Sequence, residues 1–332
     1  MRRLLLCALA LLVVTGPLAA QPRVPRIYSV DDAHSFLGFS VRLAGFNRVR
    51  GLFQDWRADF SFDPARPLDG IVHFWADAST IATGVTDRDE HLRTADFFDV
   101  ARYPSLTFEG RVVAAAGSRL ELEGALTIRG QTRTVRFPAE LLTPETEDPF
   151  GNRRIAFGAE LSINRRDFEI HGPRFWSTAI SESVTIELEV GGRIWDYRSV
   201  NYGRATAYYG PTLVAASDSG RFAPTLATLR GELAAEADTA RLPRPFETEV
   251  AVGRLVQGGH LDQALAVLTL FPPIVERWPP QSRARYRVLR GEVLARLGRT
   301  AEALAALRDA VAEDPTNTNA RVWLQALSLP SR

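Results

Sequence analysis

The spacing of apolar residues changes once along this chain of 332 residues, and the change separates two kinds of structure. From Tyr28 to about Trp195, apolar and polar residues alternate, as they do across residues 37–43. Alternation with a period of two places one side of a strand in the interior and the other side in water. After Gly191-Gly192, apolar residues recur at helical spacing and alanine becomes abundant. The sequence therefore predicts a β-rich first half and a helical second half.

The first half contains eight or nine candidate strands, most of them joined by short links. Arg129-Gly130-Gln131 is a typical hairpin signal between two of these strands. An antiparallel barrel of about eight strands has no exposed edges and has room for one ligand. We therefore predict two domains, an all-β antiparallel lipocalin-like barrel with a short helical flap and then an all-α helical-hairpin array.

Residues 86–110, TDRDEHLRTADFFDVARYPSLTFEG, are the predicted flap. Thr86 and Asp89 fit a capping box at the start of a helix. The apolar residues that follow, among them Leu92, would then cover the barrel interior. A covered apolar interior indicates lipid binding rather than catalysis.

The N-terminus has the three parts of a secretory signal peptide. Arg2 and Arg3 precede an apolar run over residues 4–14, and small residues follow up to Ala20, after which cleavage is expected. The run is short for a membrane span, although a signal anchor stays open as an alternative. Cys7, the only cysteine, lies inside this segment, so the mature chain has no thiol. We predict a periplasmic or secreted protein without a transmembrane segment in its mature form.

The helical half contains internal repetition. Residues 284–317 resemble a tetratricopeptide repeat, and Pro315 would stop the second helix of that repeat. Residues 245–283 are a looser copy. Because about three repeats are needed for stability, either helices within 222–257 complete the stack or the whole half docks on the barrel. This half either forms a partner-binding groove or serves as a stabiliser of the barrel or a dimerisation module. The predicted bounds are signal peptide 1–20, barrel 27–193, linker 194–221 and helical domain 222–329.

Six short motifs of the first half resemble those of a known family and occur in its order. With them, the region from Tyr28 to Val190 is similar to the YceI-like family of polyisoprenoid-binding, lipocalin-like barrels, and the resemblance implies an apolar isoprenoid ligand. Members often carry histidine where this chain has Leu43 and glycine where it has Glu169. The motifs are Tyr28-Ser29-Val30-Asp31 with His34-Ser35, Phe39-Ser40-Val41, Gly51-Leu52-Phe53, the flap, Gly124-Ala125-Leu126-Thr127-Ile128-Arg129-Gly130, and Ile163-Asn164-Arg165-Arg166-Asp167-Phe168.

An isoprenoid chain offers only apolar surface, so its site needs shape and an apolar lining. Candidate lining residues are the inward-facing members of the strand rows and the apolar residues of the flap side. The alternative is that the same rows pack together as a dry core. The candidates are Leu37, Phe39, Val41, Leu43, Phe53, Trp56, Phe97, Phe98, Leu106, Phe108, Leu126, Ile128, Phe137, Phe157, Leu161 and Ile163.

Polar side chains near the mouth of such a barrel are candidates for contacts with a lipid head group. Arginine suits a phosphate or pyrophosphate, and arginine or histidine suits a quinone carbonyl. The alternative is that these side chains only stabilise the local structure. The candidates are His34, Arg88, His91, Arg93 and Arg165.

Signals of catalysis are weak in this sequence. The five histidines lack the H-x-x-x-H spacing of a metal site, and no G-x-S-x-G motif occurs. A net charge of +1 gives no general attraction to nucleic acid or to an anionic membrane.

We therefore expect an exported, non-enzymatic protein that needs no metal or other cofactor. Its ligand would be a polyisoprenoid, an isoprenoid quinone or a similar lipid, and its helical domain would contact a protein partner or a second copy of the chain. The alternative is an envelope interaction adaptor whose barrel is a packed scaffold without ligand.

Overall fold

The computed structural model describes residues 24–174, 178–197, 210–235, 243–270 and 272–329. The predicted signal peptide, 1–20, and part of the predicted linker lie outside these residues. Within the described part, no helix is both long enough and apolar enough to cross a membrane.

The described part of the first half contains eleven strand segments and one α-helix. The strands are β1 (Ile27–Val30), β2 (Phe36–Leu43), β3 (Asn47–Phe53), β4 (Trp56–Ser61), β5 (Ile71–Asp77), β6 (Ile81–Ala82), β7 (Ser105–Ala116), β8 (Arg119–Ile128), β9 (Gln131–Glu147), β10 (Arg153–Asn164) and β11 (Ile180–Ile194), and the helix is α1 (Thr86–Arg93). Short 3-10 turns occur at Asp32–His34, Pro67–Asp69, Ala78–Thr80 and Arg165–Phe168.

The strands form an antiparallel barrel that closes through β11. This strand pairs with β10 on one side; on its other side it pairs with β2 near its start and with β1 near its end. Strands β1 and β2 therefore act as one interrupted strand, and β3 and β4 do the same because they pair with β2 and β1 respectively. The short β6 continues β5 in the same way, because β6 pairs with β3 and β5 pairs with β4. Counted in this way, the barrel has eight strands. The predicted fold class is confirmed.

One end of the barrel is tightly packed. Tyr28 is fully buried, and its ring stacks on Phe60 with the ring centroids 5.2 Å apart. A Cβ atom on Gly192 would lie 2.2 Å from the Phe60 ring, so only glycine fits at this point of β11. Phe62 and Phe157 meet edge to face beside these rings. The barrel is therefore plugged at the end where β1 begins and β11 ends.

The flap contains the predicted helix, but its N-terminus differs from the prediction. Val85 is the residue that precedes the helix, and it makes no side-chain capping bond. The Asp89 carboxylate accepts a hydrogen bond from the Thr83 amide, at 2.8 Å, and another from the Thr83 hydroxyl. Asp89 therefore fixes the loop before the helix, and the Thr86 capping box is not formed.

The second half is entirely helical in its described residues, as predicted. Its helices are α2 (Gly210–Asp218), α3 (Phe222–Ala235), α4 (Pro245–Gln257), α5 (Leu261–Leu268), α6 (Pro272–Val275), α7 (Pro280–Arg296), α8 (Thr300–Glu313) and α9 (Thr318–Leu327).

The helical half packs as two hairpins, α4–α5 and α7–α8, with helix α2 packed against α4. A Cβ atom on Gly291 would lie 2.7 Å from the Leu307 side chain, so this glycine lets α7 and α8 approach closely. Helix α2 lies inside 194–221, and its residue Leu213 is buried in the same apolar cluster as Leu255 of α4. This part of the predicted linker is therefore a packed helix. The tetratricopeptide assignment of the hairpins stays a prediction.

The last helix, α9, packs on the outside of the barrel against β1, β4 and β5. Asp59 of β4 accepts hydrogen bonds from the Thr318 hydroxyl and from the Asn319 side-chain amide, the latter at 2.8 Å. Arg321 forms an ion pair with Glu109 of β7 at 3.1 Å. We call this contact the α9 seam; it joins the helical half directly to the barrel wall.

Candidate functional site

The barrel contains a large apolar cavity at the end opposite the aromatic plug. Its volume is about 530 Å³. Its walls come from β2, β3, β5, β7, β8, β10 and β11, and the flap with α1 lies over it. The size is within the range of about 300–1,000 Å³ that is usual for small-molecule sites.

A second cavity of about 170 Å³ lies toward the plugged end. Residues of β4, β9 and β10 contribute to its walls, together with rings of the plug such as Phe60 and Phe62. Its single polar wall side chain is that of Ser61. This chamber therefore offers almost nothing to a polar ligand.

Four side chains line both cavities and form the partition between them: Leu37, Phe74, Leu126 and Ile186. They come from β2, β5, β8 and β11, which are distributed around the barrel. We call this ring the waist. Because the partition consists of side chains and not of backbone, changes of rotamer are enough to alter its width.

Every predicted lining residue lies on the wall of one cavity or the other. The structure thus places the inward-facing rows where the alternation predicts them, around open space. The predicted residues that line the larger cavity are Leu37, Phe39, Val41, Leu43, Phe53, Phe97, Phe98, Leu106, Leu126, Ile128 and Ile163. Those that line the smaller cavity are Trp56, Phe108, Phe137, Phe157 and Leu161, together with Leu37 and Leu126, which line both.

Several wall residues are absent from the predicted set. Phe74 is one, because β5 carries apolar side chains on both faces and alternation does not show which face is inside. Val184 and Ile186 alternate with polar residues along β11, so the alternation of that strand also marks them as inward-facing. Val49 is hidden in a stretch rich in arginine.

Arg165 lies on the wall of the larger cavity and is 4% exposed. Its guanidinium donates to the carbonyl oxygens of Ser181 at 3.0 Å, Ile170 at 2.5 Å, His171 at 2.7 Å and Ile180 at 3.1 Å. Burial lowers the pKa of this arginine from its usual value. Arg165 therefore ties residues 170–171 to the start of β11 at the cavity wall.

Arg88 and His91 of α1 also lie on this wall. Arg88 donates through Nε to the Thr83 hydroxyl at 2.7 Å and through Nη2 to the Thr83 carbonyl at 2.9 Å. His91 Nε2 lies 2.9 Å from Asp96 Oδ2, and its ring meets Phe97 edge to face. Both side chains are half-buried at the inner surface of the flap.

The other two head-group candidates lie on neither cavity wall. His34 is in the turn between β1 and β2, where its Nδ1 lies 3.1 Å from Asp31 Oδ2. Arg93 donates to the carbonyl oxygens of Ser79 at 2.6 Å and Ile81 at 3.1 Å, so it ties α1 to β6. Both residues make local structural bonds, and their contact with a head group stays a prediction.

Leu43 and Glu169, which stand where similar sequences often carry histidine and glycine, lie at different places relative to the cavity. Leu43 lies on the wall of the larger cavity, where it adds apolar surface. Glu169 adopts a left-handed backbone conformation with φ of 58°, a conformation that glycine adopts at lower cost. Its carboxylate lies 2.9 Å from His171 Nε2, outside the cavity walls. Within the described residues, no group of three or more metal-binding side chains is assembled.

Solved structures of other proteins match about half of the chain. One is BcnA of Burkholderia cenocepacia, 24% identical, covering 49% of this chain and 98% of its own, with a TM-score of 0.44. Another is a polyisoprenoid binding domain from Saccharophagus degradans, 18% identical, covering 51% of this chain and 98% of its own, with a TM-score of 0.39.

Sequence relatives also match about half of the chain. Protein YceI of Escherichia coli O6:H1 is 35% identical over 145 residues, which are 43% of this chain and 75% of the relative. The UPF0312 protein of Pseudomonas syringae pv. tomato is 32% identical over 181 residues, 54% of this chain and 94% of the relative. The YceI-like domain matches residues 28–191. Through its barrel, the chain belongs to the YceI-like family.

Proposed function

We propose that this chain is a binding protein that holds a long apolar lipid, a polyisoprenoid or an isoprenoid quinone, inside its barrel. The observation that carries the proposal is the cavity of about 530 Å³ with apolar walls beneath the flap. Open apolar volume inside a folded domain is unfavourable unless something fills it, because its lining lacks dispersion contacts. A flexible hydrocarbon chain supplies those contacts.

The two chambers suit an elongated ligand. A chain that enters at the flap and passes the waist would use both cavities, with its apolar end against the aromatic plug. Each buried methylene contributes about 0.8 kcal/mol, and the ordering of the chain offsets much of the total. Tight retention of such a ligand needs no reaction and no metal.

A head group would lie near α1. The hydrogen bonds of Arg88 described above use its Nε and Nη2, so Nη1 is positioned to donate to a phosphate or a quinone carbonyl. His91 is the second proposed contact. Arg165 contributes mainly positive charge, because carbonyl oxygens already surround its guanidinium.

The cellular setting and the helical half complete the proposal. The predicted signal peptide supports a periplasmic or secreted protein, and the helical hairpins support a site for a protein partner. The alternative of a packed, ligand-free scaffold is disfavoured by the open volume of the barrel.

The test is organic extraction of the purified mature protein followed by mass spectrometry. The proposal expects a co-purified isoprenoid or quinone at a fixed ratio to protein. Leu161→Arg should lose the ligand, whereas Leu142→Arg is the matched control because Leu142 is 47% exposed. Circular dichroism of both variants separates ligand loss from unfolding. Repeatedly empty extracts of the wild-type protein, together with no uptake of added decaprenol, contradict the proposal.

A further inference from the structure

The hairpin between β2 and β3 carries the most exposed large apolar side chain of the described residues. Ala44 and Gly45 have positive φ angles of 49° and 76°, and the Phe46 amide donates to the Leu43 carbonyl at 3.1 Å. This tight turn presents Phe46 to solvent, with 86% of the residue exposed. One exposed aromatic residue is common on a protein surface, so its surroundings decide what it means.

Phe46 stands at the rim of the larger cavity. Its turn partner Leu43 and the neighbouring Val41 and Val49 all lie on the wall of that cavity. Val85, at the start of the flap, lies on the same wall and is 48% exposed. Exposed apolar surface at the rim is therefore continuous with the interior that the proposed ligand occupies.

The outer face of the same hairpin is positively charged. Arg42 and Arg48 are directly opposed in the β2–β3 pairing, and Arg50 follows two residues later. Like charges opposed across two strands destabilise a hairpin, so the arrangement is costly without an anionic partner. The hairpin, residues 36–53, contains no acidic residue.

Carboxylates among the described residues do not neutralise this charge. Arg48 reaches Glu187 at 4.0 Å with both side chains about two-fifths exposed, which is a weak contact. Among the described residues, no carboxylate lies within ion-pair distance of Arg42 or Arg50. The whole chain carries a net charge of only +1, so the positive charge is a local feature of the hairpin.

We propose that the tip of the β2–β3 hairpin is a docking surface for a lipid bilayer with anionic head groups. Phe46 enters the interfacial region, and the three arginines meet the head groups around it. This orientation turns the mouth of the larger cavity toward the membrane. An apolar lipid then passes between bilayer and barrel without crossing open water.

Vesicle flotation of the full mature chain tests the proposal. Wild-type protein should float with vesicles of phosphatidylcholine and phosphatidylglycerol at low salt, and much less with phosphatidylcholine alone or at high salt. Phe46→Ser should weaken the partitioning by about tenfold. Arg42→Gln, Arg48→Gln and Arg50→Gln should each weaken it by about fivefold.

Matched controls come from the plugged end of the barrel. Phe150→Ser removes an aromatic residue that is 70% exposed in the β9–β10 turn, and Arg119→Gln removes an exposed charge in the β7–β8 hairpin. Both should bind vesicles as the wild type does. Equal binding by Phe46→Ser and wild type, or no dependence on phosphatidylglycerol, overturns the docking surface.

The inference rests on the proposed function for its purpose, but the two fail separately. Loading of the barrel with detergent-dispersed decaprenol requires no membrane. Loading without vesicle binding disproves the docking surface and leaves the proposed function standing. Vesicle binding without loading disproves the proposed function and leaves the docking surface standing.

Discussion

His73 Nε2 on β5 lies 2.8 Å from Gln325 Oε1 on α9, so a buried imidazole of the barrel wall pairs with the last helix of the chain. Burial lowers the pKa of His73 below its ordinary value of 6.5, although Gln325 and Glu109 act in the opposite direction. Arg321 and Asp59 are the other charged groups that face this ring. His73 is therefore neutral in the folded protein at neutral pH.

The first prediction is that the α9 seam weakens in acid. Because the folded-state pKa is lowered, the unfolded chain takes up a proton first as the pH falls below about 6.5. Stability attributable to His73 is complete above that pH and is lost as the pH falls further. Thermal unfolding from pH 8 to pH 5 should show a smaller loss of Tm for His73→Gln than for the wild type. Identical profiles would show that His73 does not titrate in the seam.

Asp59 should be the main polar anchor of the seam. Asp59→Ala leaves the hydroxyls of Ser29 and Thr318 and the amide of Asn319 without their acceptor. Loss of hydrogen bonds to a buried charge predicts a cost of about 3 kcal/mol in unfolding free energy. Chemical denaturation measures the cost, with Glu160→Ala as control because Glu160 is exposed on β10. A loss no larger than that of the control contradicts this role.

The waist should set the length of lipid that the barrel retains. Phe74→Ala removes the largest side chain of the partition and joins the two chambers, at a cost of about 3 kcal/mol. Mass spectrometry of bound lipid should then show longer chains than in the wild type. Ile186→Phe narrows the same ring and should shift the retained lipid toward shorter chains. No shift in either variant would mean that the waist does not limit the ligand.

Removal of the helical half should leave the cavity occupied. Every wall residue of the two cavities lies between Val30 and Val190, so none comes from α2–α9. A chain that ends at Asp196 should therefore keep its lipid when extracted. It should also unfold at a lower temperature, because it lacks the α9 seam and the apolar cluster of α7–α9 against which Ile27 packs. Loss of lipid from a folded truncated barrel would show that the helices close the cavity indirectly.

Alternation identifies many of the cavity wall residues, because each inward position follows from the period of one strand. Phe39 and Leu161 are examples: both are identified by their apolar side chains with polar neighbours, and both face open volume in the barrel. Alternation does not identify Phe74 as a wall residue, because its outward-facing neighbours His73 and Trp75 are also largely covered. A strand that is covered on both faces does not need to alternate apolar with polar residues, so its sequence does not show which face is inside.

The polar residues were harder to place, because their direction depends on contacts between distant segments. Arg93 reaches the carbonyl oxygens of the β5–β6 turn, and His34 turns to Asp31, so neither lies on a cavity wall. Asp59 has the pattern of a solvated outward residue, yet α9 covers it after some 260 intervening positions. Local sequence contains no sign of such a partner.

His73 and Phe74 are neighbours in the chain, but His73 contacts helix α9 and Phe74 faces the cavities. The single strand β5 therefore separates the cavities on its inner face from helix α9 on its outer face. Under the proposed function, a bound lipid and a partner of α9 would contact the same strand from its two sides. A change in either contact would act on β5 itself, because residues 73 and 74 share one peptide unit.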